Sequence, residues 1–219
     1  MPYYRYDCRD CCSKNKENQE NTNDKHQLKI FCHGYCKNEG EPTANSSIGI
    51  YCLNRSNELL EKPVIHSLRH NDFSEHISSH TKKTAELLAM LLAIRKGKMF
   101  LKSGNSKIKK VSVFVDSFYS LGCIFDRYSF EYDGVFGICV QDEHQDLITE
   151  IMNEINDGFE LQGGFLVFYN CIESEEYCCK NISAARKLAA AGISERGFTV
   201  NIGKDLSKKI FGQEMKIVT

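Results

Sequence analysis

Side chains with the chemistry of acids, bases and metal ligands lie at the ends of predicted elements of this 219-residue chain. Cys32 and His33 follow a short apolar run, and Asp116 directly follows a continuous apolar run. Glu86 lies in the first turn of an apolar helix. Ligands of open α/β sheets bind at the carboxyl ends of strands near a topological switch point, so these residues are predicted to lie together. Carboxylates beside an imidazole can ligate a metal ion.

Apolar patterning predicts the elements that position these residues. The predicted strands cover 28–32, 48–53, 59–66, 111–115 and 165–169, and the predicted helices cover 84–98, 117–125, 142–157 and 183–191. The first three strands are close enough in the chain for antiparallel pairing, whereas the last two follow crossover helices and are expected to run parallel to the first. The predicted fold class is therefore α/β, a mixed five-stranded sheet with three antiparallel strands, then two parallel strands, flanked by helices.

Composition indicates one folded domain with tails. Hydrophobic residues make up 42% and charged residues 26% of the chain, as in ordinary globular proteins. The polar segment 13–27 predicts a cysteine-bearing N-terminal tail over 1–27, then a domain over 28–193 and an extension over 194–219. No apolar run approaches the roughly 20 residues that span a bilayer, and no secretory signal is visible. We expect an intracellular protein, cytoplasmic or nuclear, without a membrane partner.

Eleven cysteines make the chain cysteine-rich, and an odd number excludes complete internal pairing. Without a secretory signal, the expectation is reduced thiols in a reducing compartment. Cys52, Cys123 and Cys139 lie in apolar runs and are predicted to be small core residues.

The alternative for the cysteines is a zinc site. Cys8 and Cys11 have the spacing of half a site. The other half would come from Cys32 with Cys36, or from Cys178 with Cys179. Neither pair has finger-like spacing, so zinc is the weaker expectation. Four histidines in the stretch 66–80 are explained more simply by a solvated loop than by a metal site.

Several motifs, taken in order, resemble those of the type I ribonuclease H family. Residues 31–40, FCHGYCKNEG, are similar to the family's first-strand motif, and residues 47–53, SIGIYCL, are similar to its second strand. The helix motif ending in Ala-Glu-Leu is similar to HTKKTAELLAMLLAI at 80–94. The fourth-strand motif is similar to VSVFVDSFYSL at 111–121, and the last helix is similar to NISAARKLAAAGI at 181–193. The resemblance covers about residues 28–193 and implies a ribonuclease H-like fold.

The resemblance also implies four carboxylates that hold two magnesium ions. The second and third fall on Glu86 and Asp116, but His33 replaces the first and Arg186 replaces the fourth. A neutral imidazole cannot bridge two metal ions, and a guanidinium repels them. These changes predict a catalytically degenerate domain with weakened magnesium or manganese binding. The alternative is an active manganese-dependent ribonuclease that uses His33, Glu86 and Asp116 as its metal set.

The distribution of charged residues along the chain indicates what kind of partner the protein could bind. Residues 82–110 hold nine Lys or Arg against one acid, whereas residues 131–176 hold twelve acids and no Lys or Arg. The basic block either faces nucleic-acid phosphates or pairs with the acidic block. The candidate nucleic-acid contacts are Cys36, Asn38, Lys82, Lys83, Lys107, Lys109 and Lys110. The leading hypothesis is a domain that binds RNA or an RNA-containing duplex, or serves as a docking module; the alternative is a protein-interaction module of a larger assembly.

Overall fold

The computed structural model describes residues 3–5, 27–54, 56–68, 80–102, 108–124, 144–159, 165–170 and 180–193. The strands are β1 (Tyr3–Arg5), β2 (Gln27–Lys37), β3 (Asn45–Leu53), β4 (Val64–Ser67), β5 (Lys110–Val115) and β6 (Phe165–Asn170). The helices are α1 (Lys82–Lys102), α2 (118–124), α3 (Gln145–Phe159) and α4 (Lys180–Gly192). The strands form one mixed sheet in the order β1-β6-β5-β2-β3-β4. Strands β2, β3 and β4 pair antiparallel, and β5 and β6 extend the sheet in parallel.

The predicted fold class is confirmed, but the predicted number of strands is wrong. Tyr3–Arg5, assigned to a polar tail, forms a sixth strand parallel to β6. A strand of three residues is too short to show the side-chain periodicity by which a strand is recognised in a sequence. The boundaries predicted at 28–193 and 194–219 stay predictions, and most of the tail lies outside the described residues.

Two strand boundaries differ from the prediction for physical reasons. Strand β2 continues to Lys37 because its polar second half pairs with β3, with Cys36 opposite Ser46. His33 therefore lies inside a strand, and not at its end. Strand β4 begins only at Val64, because Pro63 lacks the N–H that a ladder requires. Leu59, predicted to start this strand, makes an isolated bridge to Leu53.

The core lies between helix α1 and the sheet. Helix α1 is buried from Thr84 to Leu91 and packs against β2 and against α3, as its apolar sequence predicts. Helix α4 packs on β3 and β2, where the Tyr51 hydroxyl donates to the carbonyl of Asn181 at 2.7 Å. No helix in the described ranges is long and apolar enough to cross a membrane.

The cysteines that the structure describes are free thiols. Cys52 and Cys123 are buried among core residues, which confirms the prediction for them. Burial raises the pKa of Cys52 well above its usual value, because a thiolate loses its hydration there. Cys139 and the proposed zinc ligands Cys8 and Cys11 lie outside the described residues.

Candidate functional site

The register of the sheet brings His33 and Asp116 together. Strands β2 and β5 pair in parallel up to Phe31 opposite Phe114. His33 and Asp116 each lie two residues further along, where the side chains again point to the same face of the sheet. His33 Nδ1 lies 2.8 Å from Asp116 Oδ1. Chain segments more than 80 residues apart in sequence thus form one buried contact.

A close backbone approach positions Glu86. A Cβ atom on Gly34 would lie 2.1 to 2.3 Å from backbone atoms of Ala85 and Glu86, so only glycine permits this packing. Thr81 caps the helix, since its Oγ1 accepts the N–H of Thr84 at 3.1 Å. The start of α1 is therefore held against β2, and the Glu86 side chain is only 9% exposed.

Helix α4 supplies the last member of the site. Gly49 of β3 lets α4 approach so closely that a Cβ there would lie 2.4 Å from the Ala185 carbonyl oxygen. Arg186, the next residue, donates from Nε to Asp116 Oδ2 at 2.5 Å. Both oxygens of the Asp116 carboxylate are thus engaged, one by His33 and one by Arg186. We call these three residues the ion triad.

The two carboxylates of the site experience opposite electrostatic effects. Burial raises the pKa of Asp116, but the hydrogen bonds and charges of His33 and Arg186 outweigh it and hold that pKa below its usual value. Burial also raises the pKa of Glu86, and here it outweighs the Ser117 hydroxyl bond and the Lys82 charge. Ser117 Oγ donates to Glu86 Oε2, and Lys82 Nζ lies 3.7 Å from Oε1. Asp116 is the stabilised anion, whereas Glu86 is held in a site that disfavours its charge.

These residues do not fit the two-magnesium site that the resemblance implies. Magnesium requires free oxygen ligands in near-octahedral geometry, but both Asp116 oxygens already accept N–H donors. Within the described ranges, no group of three or more His, Cys, Asp or Glu side chains could hold a metal ion. The alternative metal set of His33, Glu86 and Asp116 is therefore not formed in this arrangement, because His33 and Arg186 use the carboxylate that would bind the metal.

Two candidate nucleic-acid contacts, Cys36 and Asn38, form hydrogen bonds with other residues of the protein. The Cys36 thiol donates to the His80 carbonyl at 3.2 Å. The Asn38 amide donates to the Thr43 hydroxyl at 3.1 Å, in a turn where Asn38 has φ 56°. Glu39 of the same turn accepts the backbone N–H of Lys82 at 3.0 Å. These bonds tie the β2–β3 turn to the start of α1, a structural role that spacing alone does not reveal.

The candidate lysines are divided between two ends of the sheet. Lys82 and Lys83 lie at the start of α1 beside Glu86; Lys82 is 61% exposed, and Lys83 Nζ lies 4.8 Å from the centre of the Tyr119 ring. Lys110 begins β5, the end opposite to the one that Asp116 follows. A six-residue strand spans about 20 Å, so Lys109 and Lys110 lie far from the ion triad. Lys107 lies outside the described residues.

Much of the basic block pairs with acids. The ion pairs join Arg95 to Glu150 and Glu154, Lys96 to Glu61, and Lys98 to Glu154. Glu150 and Glu154 belong to the acidic block, so the pairing interpretation is confirmed for Arg95 and Lys98. For this part of α1 the ion pairs favour pairing over the phosphate-facing alternative.

Sequence reasoning missed a polar network beside the site. His144 is buried; its Nδ1 lies 2.9 Å from the Tyr119 hydroxyl, and its Nε2 lies 3.1 Å from the Thr84 hydroxyl. The missed role of Ser117, which bonds Glu86, could have been suspected from its place next to Asp116. His144 carried no such signal, because its partners lie 25 and 60 residues away.

Comparison with known proteins shows the fold. No protein-family model and no curated protein matches the chain. LC9-RNase H1, a type 1 RNase H with the type 2 active-site motif, has a TM-score of 0.57 at 12% identity, covering 88% of this chain and 86% of its own. The PFV RNase H domain has a TM-score of 0.54 at 19% identity, and the match covers 76% of this chain and 94% of that domain. The foamy viral protease-reverse transcriptase in complex with RNA/DNA hybrid has a TM-score of 0.54 at 14% identity, covering 82% of this chain and 21% of its own.

These likenesses and the sheet order define a class of structure. The chain has the ribonuclease H fold, as the ordered motifs predict. Its site residues lie together at the junction of β2, β5, α1 and α4.

Proposed function

We propose that this protein is a catalytically degenerate ribonuclease H-like domain that binds RNA or an RNA-containing duplex without cleaving it. The observation that carries the proposal is the ion triad, in which His33 and Arg186 engage both oxygens of Asp116. Similar solved structures include a foamy viral protease-reverse transcriptase in complex with dsDNA and with RNA/DNA hybrid, which supports a nucleic-acid ligand for this fold.

Energetics support the loss of cleavage. Asp116 is 5% exposed, so a metal ion could bind it only after Arg186 or His33 had released it. Separating one partner from a buried charge pair costs about 3 to 5 kcal/mol, and the released guanidinium would then stand beside the entering cation. Glu86 would add little to metal binding, since burial disfavours its charged form.

The binding surface in this proposal is the start of α1. Lys82 and Lys83 lie there, beside the site and away from the acids that neutralise Arg95 and Lys98. Lysine contacts to phosphate release counterions, so affinity falls with added salt. Two such contacts predict a slope of about −2 in a plot of log K against log salt concentration.

Fluorescence anisotropy tests the binding proposal. RNA/DNA hybrid, duplex RNA, single-stranded RNA and duplex DNA are titrated at several salt concentrations, with and without manganese. The double variant Lys82→Gln, Lys83→Gln is expected to weaken RNA binding roughly tenfold and to reduce the salt slope by about 2. The matched control is Lys109→Gln, Lys110→Gln, which removes the same charge at the far end of β5 and should leave both values unchanged.

Cleavage assays on the same probes test the degenerate site. Magnesium- or manganese-dependent cleavage that disappears in Asp116→Asn would refute the proposal and favour the active, manganese-dependent alternative. An absence of salt-sensitive binding to every probe would favour the protein-interaction module instead.

A further inference from the structure

One aromatic side chain beside the site is left facing water. Phe118 is 59% exposed, two residues beyond Asp116. Among the described residues the other large hydrophobic side chain exposed to this extent is Met99, 69% exposed and near the far end of α1. Exposed phenyl surface costs free energy in proportion to its area, so a planar apolar group that covered this ring would recover part of that cost.

The backbone that carries Phe118 is held in place. Ser117 Oγ accepts the N–H of Ser120 at 3.1 Å and caps helix α2. The Ser117 carbonyl also accepts the N–H of Leu121 at 3.2 Å, and the Ser117 hydroxyl donates to Glu86. The exposure of Phe118 therefore belongs to an anchored turn and not to a frayed helix end.

The adjacent residue shows why Phe118 points outward. Tyr119 is turned into the protein, where its hydroxyl bonds His144 at 2.9 Å and its ring lies 4.8 Å from Lys83 Nζ. Neighbouring side chains on a helix point about 100° apart, so Phe118 cannot share that interior position. Lys83, one of the lysines that we propose as phosphate contacts, therefore lies against the ring of the residue that follows Phe118.

A rigid aromatic ring beside cations is a common arrangement for binding single-stranded nucleic acid. The ring stacks on a base while the cations contact the phosphates, and stacking tolerates any base because each has a π face. In an uninterrupted duplex the base faces are covered by their neighbours, and exposing one costs a few kcal/mol. A stacking ring therefore favours an RNA that already contains an unpaired base.

We propose that Phe118 stacks on an unpaired base of the bound RNA, with the adjoining phosphates at Lys82 and Lys83. This inference rests on the proposed nucleic-acid binding and narrows its ligand. The ligand is a single-stranded RNA, or a duplex with a single-stranded end, rather than a blunt duplex.

The test compares Phe118 variants on three probes: a short single-stranded RNA, a hybrid with a single-stranded RNA overhang, and the same hybrid with blunt ends. Phe118→Ala and Phe118→Leu are expected to weaken binding of the first two probes about tenfold, and blunt-hybrid binding less than twofold. Phe118→Trp should retain wild-type affinity because it keeps a π face. Met99→Ala, which removes a similarly exposed side chain elsewhere, is the matched control and should change nothing.

A stacking signal gives an independent measurement. A 2-aminopurine base in the overhang should lose fluorescence on binding to the wild type and to Phe118→Trp, and keep it with Phe118→Leu. Equal affinity of wild type and Phe118→Leu for the overhang probe would overturn the inference while leaving the proposed function standing. Equal weakening on blunt hybrid would also overturn it. A wild type that binds none of the probes would refute the proposed function and this inference together.

Discussion

The two halves of helix α1 use their charges in different ways. In the C-terminal half, Arg95 and Lys98 form ion pairs with the acids of α3. In the N-terminal half, Lys82 is largely exposed and Glu86 is buried in a position that raises its pKa. One half thus resembles an ordinary interface between two helices, whereas the other combines an exposed lysine with a buried carboxylate.

The cations of one basic stretch in a sequence can therefore lie on different surfaces of the fold. Cations that meet acids of another element contribute to packing and are neutralised locally. Those at the start of α1 are the cations that we propose as phosphate contacts. Substitutions in the two halves should therefore have unequal effects on stability, and the expected effects run from large losses to a small gain.

The largest effect is expected at Gly34, with Gly97 of α1 as the comparison. A Cβ on Gly34 overlaps the backbone of Ala85, which cannot move without displacing the helix, so Gly34→Ala should cost more than about 3 kcal/mol. A Cβ on Gly97 meets Val111 Cγ1 at 2.8 Å, which is a side-chain atom and not backbone. Gly97→Ala also gains up to about 1 kcal/mol of helix propensity, which offsets part of the cost of that contact, so its net loss should be clearly smaller than that of Gly34→Ala. Urea denaturation measures both; equal losses would contradict the comparison.

The next effect concerns Asp116 and depends on pH. Asp116→Asn should lower the free energy of unfolding by about 2 to 4 kcal/mol at pH 7, because it leaves Arg186 without its anion. The folded-state pKa of Asp116 is lowered, so its stabilisation is present above the unfolded pKa of about 3.9 and is lost as pH falls through the folded pKa. The difference between wild type and variant should therefore shrink in acid. The exposed Asp157→Asn is the control, and a difference that stays constant down to acid pH would disprove the pairing.

A smaller loss is expected at the other half of α1. Glu154→Gln weakens the pairs with both Arg95 and Lys98, and should cost about 1 kcal/mol because these groups remain partly hydrated. The loss should diminish at high salt, which screens partly exposed charges. Nucleic-acid affinity should be unchanged, and a change in affinity larger than twofold would show that this half also serves the ligand.

A small gain is expected at Glu86. Its pKa is raised in the folded state, so its ionisation opposes folding at neutral pH; this cost decreases as pH falls below the folded pKa and is gone below the unfolded pKa. Glu86→Gln should therefore stabilise the protein by about 1 kcal/mol at pH 7, with no gain in acid. Thermal denaturation at both pH values measures this, and a variant less stable than wild type at pH 7 would show that Ser117 and Lys82 outweigh burial.

Local patterning predicted most of the fold, since the apolar strands and the buried helix have clear periods. It could not predict β1, whose three residues are too few to show a strand period. The second half of β2 was missed because its polar residues gain their pairing from β3. The resemblance identified the positions of His33, Asp116 and Arg186, but not their direct contacts. Those contacts depend on the register of β2 with β5 and on how closely α4 packs on β3. Neither can be predicted from local sequence patterns, because both are set by tertiary packing.

The close packing of α4 on Gly49 has a consequence for when the site forms on a newly made chain. Arg186 belongs to the last element that the structure describes, so on a growing chain Asp116 is made 70 residues before its cation. Until α4 docks, the carboxylate has no guanidinium to hold it. Because the docking depends on backbone contact at Gly49, the ion triad closes only when the sheet that receives α4 is already assembled. We therefore expect closure of the site to be a late event of folding, and amide protection in α4 would record the moment it occurs.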